Sequence, residues 1–101
     1  MAFEIKALEI FLEQIKRLDE KSKRIIADKV RLIEENPYRF KRIHSKLFSK
    51  VFRVRLNIHE KETRLIYVVI KPNIILVCLL ERKGDYKDLE KYLRKIKMGE
   101  L

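Results

Sequence analysis

Val51-Phe-Arg-Val-Arg-Leu-Asn-Ile58, followed by His59-Glu-Lys-Glu62, Thr63-Arg-Leu-Ile-Tyr-Val-Val-Ile70, Lys71-Pro-Asn73 and Ile74-Ile-Leu-Val-Cys-Leu-Leu80, is the stretch that decides the fold. The first run alternates apolar and polar residues, the period of a half-buried strand. The second and third runs are β-branched and aliphatic on both faces, as strands in the middle of a sheet are. The polar His59–Glu62 and the Pro-containing Lys71–Asn73 supply turns, so the stretch predicts a three-stranded antiparallel meander. Even-numbered residues of the first run, Phe52 to Ile58, share one face. Arg53 and Arg55 share the other.

Outward from the meander, the N-terminal Phe3-Glu-Ile-Lys-Ala7 alternates and predicts a short strand. Leu8, Phe11, Ile15 and Leu18 then recur at helical spacing. Asp19 is placed to cap a second helix, whose stripe is Ile25, Ile26, Val30 and Ile33, and Asn36-Pro37 stops it. Residues 37–50 read as a basic connection pinned by apolar anchors such as Phe40 and Leu47. After the meander, Gly84 allows a turn, Asp85 can cap a last helix, and Tyr86, Leu89, Leu93 and Ile96 form its stripe. The element order is β-α-α-β-β-β-α, an α+β protein, in a single domain over residues 1–101.

The composition narrows the function. Apolar residues at 47% exclude a disordered chain despite 40% charge. One cysteine excludes an intrachain disulfide and fits a reducing cytoplasm. The N-terminus lacks a signal-peptide pattern and no apolar run reaches membrane-spanning length, so a cytoplasmic location is expected and no membrane partner. The net charge of +10 is unevenly spread. Residues 1–35 carry eight bases and eight acids, whereas 36–59 carry seven bases (Arg39, Lys41, Arg42, Lys46, Lys50, Arg53, Arg55) and no acid. A block of that kind is the footprint of a polyanionic partner. Its interleaved aromatics suit single-stranded nucleic acid.

Several chemistries are excluded. Two glycines make no phosphate loop, and His44 and His59, fifteen apart without partner ligands, make no metal site. No cofactor is expected. What remains is a set of cations, Arg53, Arg55, Arg64 and Arg82, which a meander can bring together. Guanidiniums hold a phosphodiester and stabilise the extra charge of its pentacoordinate transition state. If the substrate is RNA, its own 2′-hydroxyl can be the nucleophile, so that no metal and no protein nucleophile are required. The structural alternative is a solvated sheet face, its arginines paired with Glu60 or Glu62.

The order of elements, with Asn36-Pro37 after the second helix, Lys46-Leu47 in the connection, Phe52-Arg-Val-Arg-Leu56, Arg64-Leu-Ile-Tyr67 and Arg82-Lys-Gly-Asp-Tyr86, resembles the RelE/ParE toxin superfamily over roughly residues 3–96. The resemblance implies that the first strand joins the meander in one mainly antiparallel sheet, covered on one face by the helical hairpin. It further implies a toxin held inactive by a paired, acidic antitoxin. RelE-type members are ribosome-dependent endonucleases that cleave mRNA by 2′-hydroxyl attack and so inhibit translation. ParE-like members act on DNA gyrase by binding. A third possibility is a catalytically degenerate relative that binds RNA or antitoxin only. By resemblance, Arg53, Arg55, Arg64, Arg82 and Tyr86 occupy the site: Arg53 and Arg64 on the phosphate, Arg82 on the leaving oxygen, Tyr86 on a base. Where RelE-type enzymes commonly have lysine on the first meander strand, this chain has arginine. Where many have histidine before the Arg-Lys pair, it has Glu81, a carboxylate that would act as base only if its pKa were raised.

Overall fold

The computed structural model describes residues 3–81 and 86–99. The elements are β1 (Glu4–Ala7), α1 (Glu9–Lys16), α2 (Glu20–Glu35), β2 (Lys41–Ile43), β3 (Val51–Ile58), β4 (Lys61–Ile70), β5 (Asn73–Glu81) and α3 (Lys87–Lys97). The strands form one sheet in the order β1-β5-β4-β3-β2. All pairs are antiparallel except β1 with β5. The α+β class, the meander and the hairpin are as expected. The connection 37–50 additionally contributes β2, whose Lys41, Arg42 and Ile43 pair with Arg53, Phe52 and Val51.

The predicted helix signals act as expected at α2. The Asp19 carboxylate accepts a hydrogen bond from the Ser22 N–H at 2.9 Å, and the helix ends at Glu35 before Asn36-Pro37. Its buried Ile26 and Ile33 lie two turns apart on one face. They pack with Phe11 of α1 against Phe52, Val54, Leu65 and Tyr67. Each such aliphatic side chain contributes about 1.5–3 kcal/mol of burial. The fully buried Tyr67 hydroxyl donates to the carbonyl of buried Pro37, tying the exit of α2 to the middle of the sheet.

The opposite face of the sheet is also covered, though only in part. Leu89 and Leu93 of α3 pack on Ile75, Val77 and Cys78 of β5 and on Ile66 and Val68 of β4. The architecture is therefore three layers, hairpin, sheet and α3. Asp85 lies outside the described residues, and α3 begins after Tyr86 without a side-chain cap. The Cys78 thiol is fully buried here, and burial, with Asp88 nearby, pushes its pKa up to about 12. It stays protonated and inert.

Three local features shape the sheet. The β3–β4 turn is shorter than the polar run His59–Glu62: only His59 and Glu60 are outside the strands, with φ of 52° and 64°. Both positive values match the twist of a two-residue hairpin, at a strain for side-chain-bearing residues. Between Ile66 and Tyr67 the register with β5 slips by one, so Val77 is a bulge residue and both Val77 and Cys78 face α3. Beyond the end of β1, Gln14 of α1 takes the place of a neighbouring strand. Its carboxamide donates to the Leu79 carbonyl (3.0 Å) and accepts from the Leu79 N–H (2.7 Å).

Candidate nucleic-acid interface

Because α3 covers the β5 side of its face, the β3–β2 side stays open there. The alternation of β3 and β4 directs Arg53, Arg55, Glu62 and Arg64 to this open area, beside Lys41 of β2. Lys41 and Arg53 are directly opposite across β2 and β3, and Arg55 and Arg64 are directly opposite across β3 and β4. Like charges placed so are mutually destabilising unless an anion intervenes.

Arg53, Arg64, Lys41, Arg42, Ile43 and Tyr86 line one cleft of about 360 Å³. Arg64 is the fixed member. Its side chain is only 12% exposed, and it donates to the Tyr86 hydroxyl at 2.8 Å. The guanidinium carbon lies 5.8 Å from the Tyr86 ring centroid. On the other side its terminal nitrogen is 3.6 Å from the Glu62 carboxylate, which also lies 3.7 Å from Arg55. Glu62 thus sits between two arginines, offsets the repulsion of the Arg55–Arg64 pair and orients Arg64 toward the cleft. Arg42 donates to the Ser49 carbonyl at 2.7 Å, bracing the β2–β3 connection.

Not every expected site residue meets in that cleft. Arg55 is exposed, paired with Glu62, and lines an adjoining cleft of about 380 Å³ with Arg39, Phe40, Lys41 and Arg53. Glu81 lines a separate cavity on the hairpin side with Gln14, Arg17 and Thr63. The Val77 bulge is the reason, since it reverses the phase of β5 and turns Glu81 away from the cations. Lys46 is exposed on the β2–β3 connection, and Lys50 stands over the Tyr38 ring at 5.5 Å; neither lines either cleft. Arg82 lies outside the described residues. Glu62 was visible in the sequence only as a possible cross-strand partner, and the two-residue turn is what sets it beside Arg55 and Arg64.

No cluster of potential metal ligands occurs among the described residues, and no described helix is long and apolar enough to cross a membrane.

No family model matches the sequence, and no curated protein matches it. Solved structures do. A mutant of the E. coli toxin RelE in the free state is 19% identical, covering 98% of this chain and 99% of that one, with a TM-score of 0.64. The isolated E. coli RelE toxin is 18% identical over 96% and 98% of the two chains, with a TM-score of 0.67. A chain of the intact E. coli RelBE toxin–antitoxin complex is 16% identical over 77% and 94%, with a TM-score of 0.65. The chain is an α+β protein with an open cationic sheet face. Its fold, over nearly its whole length, is that of the RelE toxin.

Proposed function

We propose that the protein is the toxin of a toxin–antitoxin pair, a metal-independent endonuclease that cleaves mRNA on the ribosome by 2′-hydroxyl attack. The observation that carries this reading is the Arg53–Arg64–Tyr86 cleft, on the open face of a RelE fold. Arg53 and Arg64 would hold the scissile phosphate and take up the charge that grows on its oxygens as the 2′-oxygen attacks and the 5′-oxygen leaves. The 2′-hydroxyl must give up a proton and the departing 5′-oxygen must gain one. Arginine, with a pKa above about 12, is a poor base, so among the cleft's lining groups the acceptor of the 2′-proton would be the Lys41 amine or the Tyr86 hydroxyl oxygen, while the 5′-oxygen would be protonated at the leaving-group side. Arg82 keeps the leaving-group role that the resemblance implies.

The partner would be an acidic antitoxin, in keeping with the basic block at residues 36–59 and the antitoxin in the RelBE complex. A second reading, ParE-like action on DNA gyrase by binding, is favoured by one observation: Glu81, the candidate base, lines a different cavity from the arginines. Toeprinting of a defined mRNA on purified ribosomes separates the two. Wild type is expected to produce cuts at the decoding site, and Arg64→Ala to slow them roughly 100- to 1,000-fold, the usual effect of removing one transition-state charge partner. Intact mRNA, on ribosomes that a RelE-type enzyme does cut, would sink the nuclease reading and turn attention to gyrase.

A further inference from the structure

The cleft beside Arg39 and Arg55 belongs to no role assigned so far. We infer that Arg39, Lys41, Arg53 and Arg55 form a second phosphate subsite, which takes the phosphate next to the one held between Arg53 and Arg64 in a single-stranded RNA. This rests on the RNA-cleaving reading above and extends it along the strand.

Continuity is the first argument. The second cleft shares Lys41 and Arg53 with the first, so the two open on either side of one cross-strand cation pair. Spacing is the second. Arg53 and Arg55 are two residues apart on one face of β3, about 6.6 Å along the strand, comparable with the repeat of an extended sugar–phosphate chain. Charge is the third. Glu62 offsets the Arg55–Arg64 pair, but among the described residues neither Arg39, Lys41 nor Arg53 has a carboxylate within ion-pair distance. An anion at each repeat is what this arrangement lacks. Phe40, half-buried with its ring at right angles to Tyr67 and the Arg39 guanidinium 5.5 Å from its centroid, adds a flat cationic–aromatic wall. Arg55 is thereby moved from the chemistry to the grip on the flanking chain.

An acidic peptide offers the competing chemistry, and the test includes it. The probe is a 5′-fluorescein single-stranded decanucleotide with 2′-O-methyl riboses, which cannot be cleaved, titrated with the full chain by anisotropy across a salt series. For Arg39→Ala/Arg55→Ala we expect roughly tenfold weaker binding at low salt, alike for all sequences, and a log–log salt slope reduced by about 0.7 per phosphate lost. Arg39→Lys/Arg55→Lys should restore the slope, since lysine keeps the charge. Both arginines are exposed, so the fold is retained. A double alanine variant with the wild-type slope, beside an Arg64→Ala variant that loses affinity, overturns the second subsite and leaves the nuclease reading standing. Stronger competition by decaglutamate than by unlabelled RNA overturns its assignment to RNA. Wild type without salt-dependent binding sinks the subsite and undermines the RNA reading together.

Discussion

Replacing Tyr67 by phenylalanine removes one oxygen from the centre of the sheet, and its consequence can be worked through in two independent ways. The Tyr67 side chain is fully buried and its hydroxyl donates to the Pro37 carbonyl, itself buried. The variant keeps the ring, its stacking on Phe52 at 5.3 Å and its edge contact with Phe40. What it loses is the hydrogen bond, leaving a buried carbonyl unpaired, for which the expected loss is about 1–3 kcal/mol at neutral pH. Each 1 kcal/mol corresponds to roughly 4–8 °C in Tm for a chain near this size. The second consequence is in pH. Burial raises the Tyr67 pKa above its ordinary value, so the folded state holds the phenolic proton after the unfolded chain has released it. Stability from this group is complete below about pH 10 and is lost as pH rises from there toward the folded pKa, at about 1.4 kcal/mol per pH unit. Phenylalanine has no such dependence. Urea unfolding of both proteins from pH 8 to 11 should therefore show a deficit of the variant that is constant to about pH 10 and shrinks by about 1.4 kcal/mol at pH 11. A deficit that does not change over that range would refute the argument, as would one below about 0.5 kcal/mol at pH 8.

Other perturbations follow from the same geometry. Glu60→Gly relieves a side-chain-bearing residue at φ 64° and should stabilise by roughly 1 kcal/mol in the same unfolding assay; no change or a loss would mean that the turn is unstrained. Gln14→Leu strips both partners from the Leu79 backbone; about 1–3 kcal/mol should be lost, with exchange protection of the Leu79 amide falling selectively. Asp19→Ala removes the α2 cap and should lower Tm. The Ser22 hydrogen bonds hold the Asp19 carboxyl below its usual pKa, so the cap's contribution is present above the unfolded value and is lost as pH falls through the folded one. The wild-type advantage over the alanine variant should therefore narrow on acidification, and a constant advantage would count against the cap. Leu93→Ala opens a cavity between α3 and β5 and should destabilise by about 2–5 kcal/mol, read from the urea midpoint.

Much of this was legible in the sequence, and the gaps have physical causes. The meander could be read because alternation in Val51–Ile58 and aliphatic density in the next two runs are local signals. The same alternation placed Arg53 and Arg55 on one face, while Arg64 was expected only to be brought near them by the meander. Strand β2 could not be read: Lys41-Arg42-Ile43 has no pattern of its own and becomes a strand only through its partner Val51–Arg53. The parallel pairing of β1 with β5 joins residues far apart in sequence; the resemblance implied only that the first strand joins the meander in one sheet. Arg55 could not be told from Arg53, because what separates them is the Glu62 carboxylate across a turn shorter than its polar run. Glu81 was placed by its neighbours in sequence, whereas its direction is set by an irregularity three to four residues upstream.

That irregularity has a consequence for how such a chain tolerates change. With Val77 as the extra residue, everything from Leu79 onward is half a period out of step with Ile74–Leu76. Deleting Val77 would straighten β5 and leave Glu81 opposite Thr63, still on the hairpin side; flattening the bulge with every residue kept would instead bring the Glu81 carboxylate round to the face that carries Arg53 and Arg64. The acid–base character of that surface is therefore governed by whether one residue is held out of the ladder, a feature that lies outside the cleft itself.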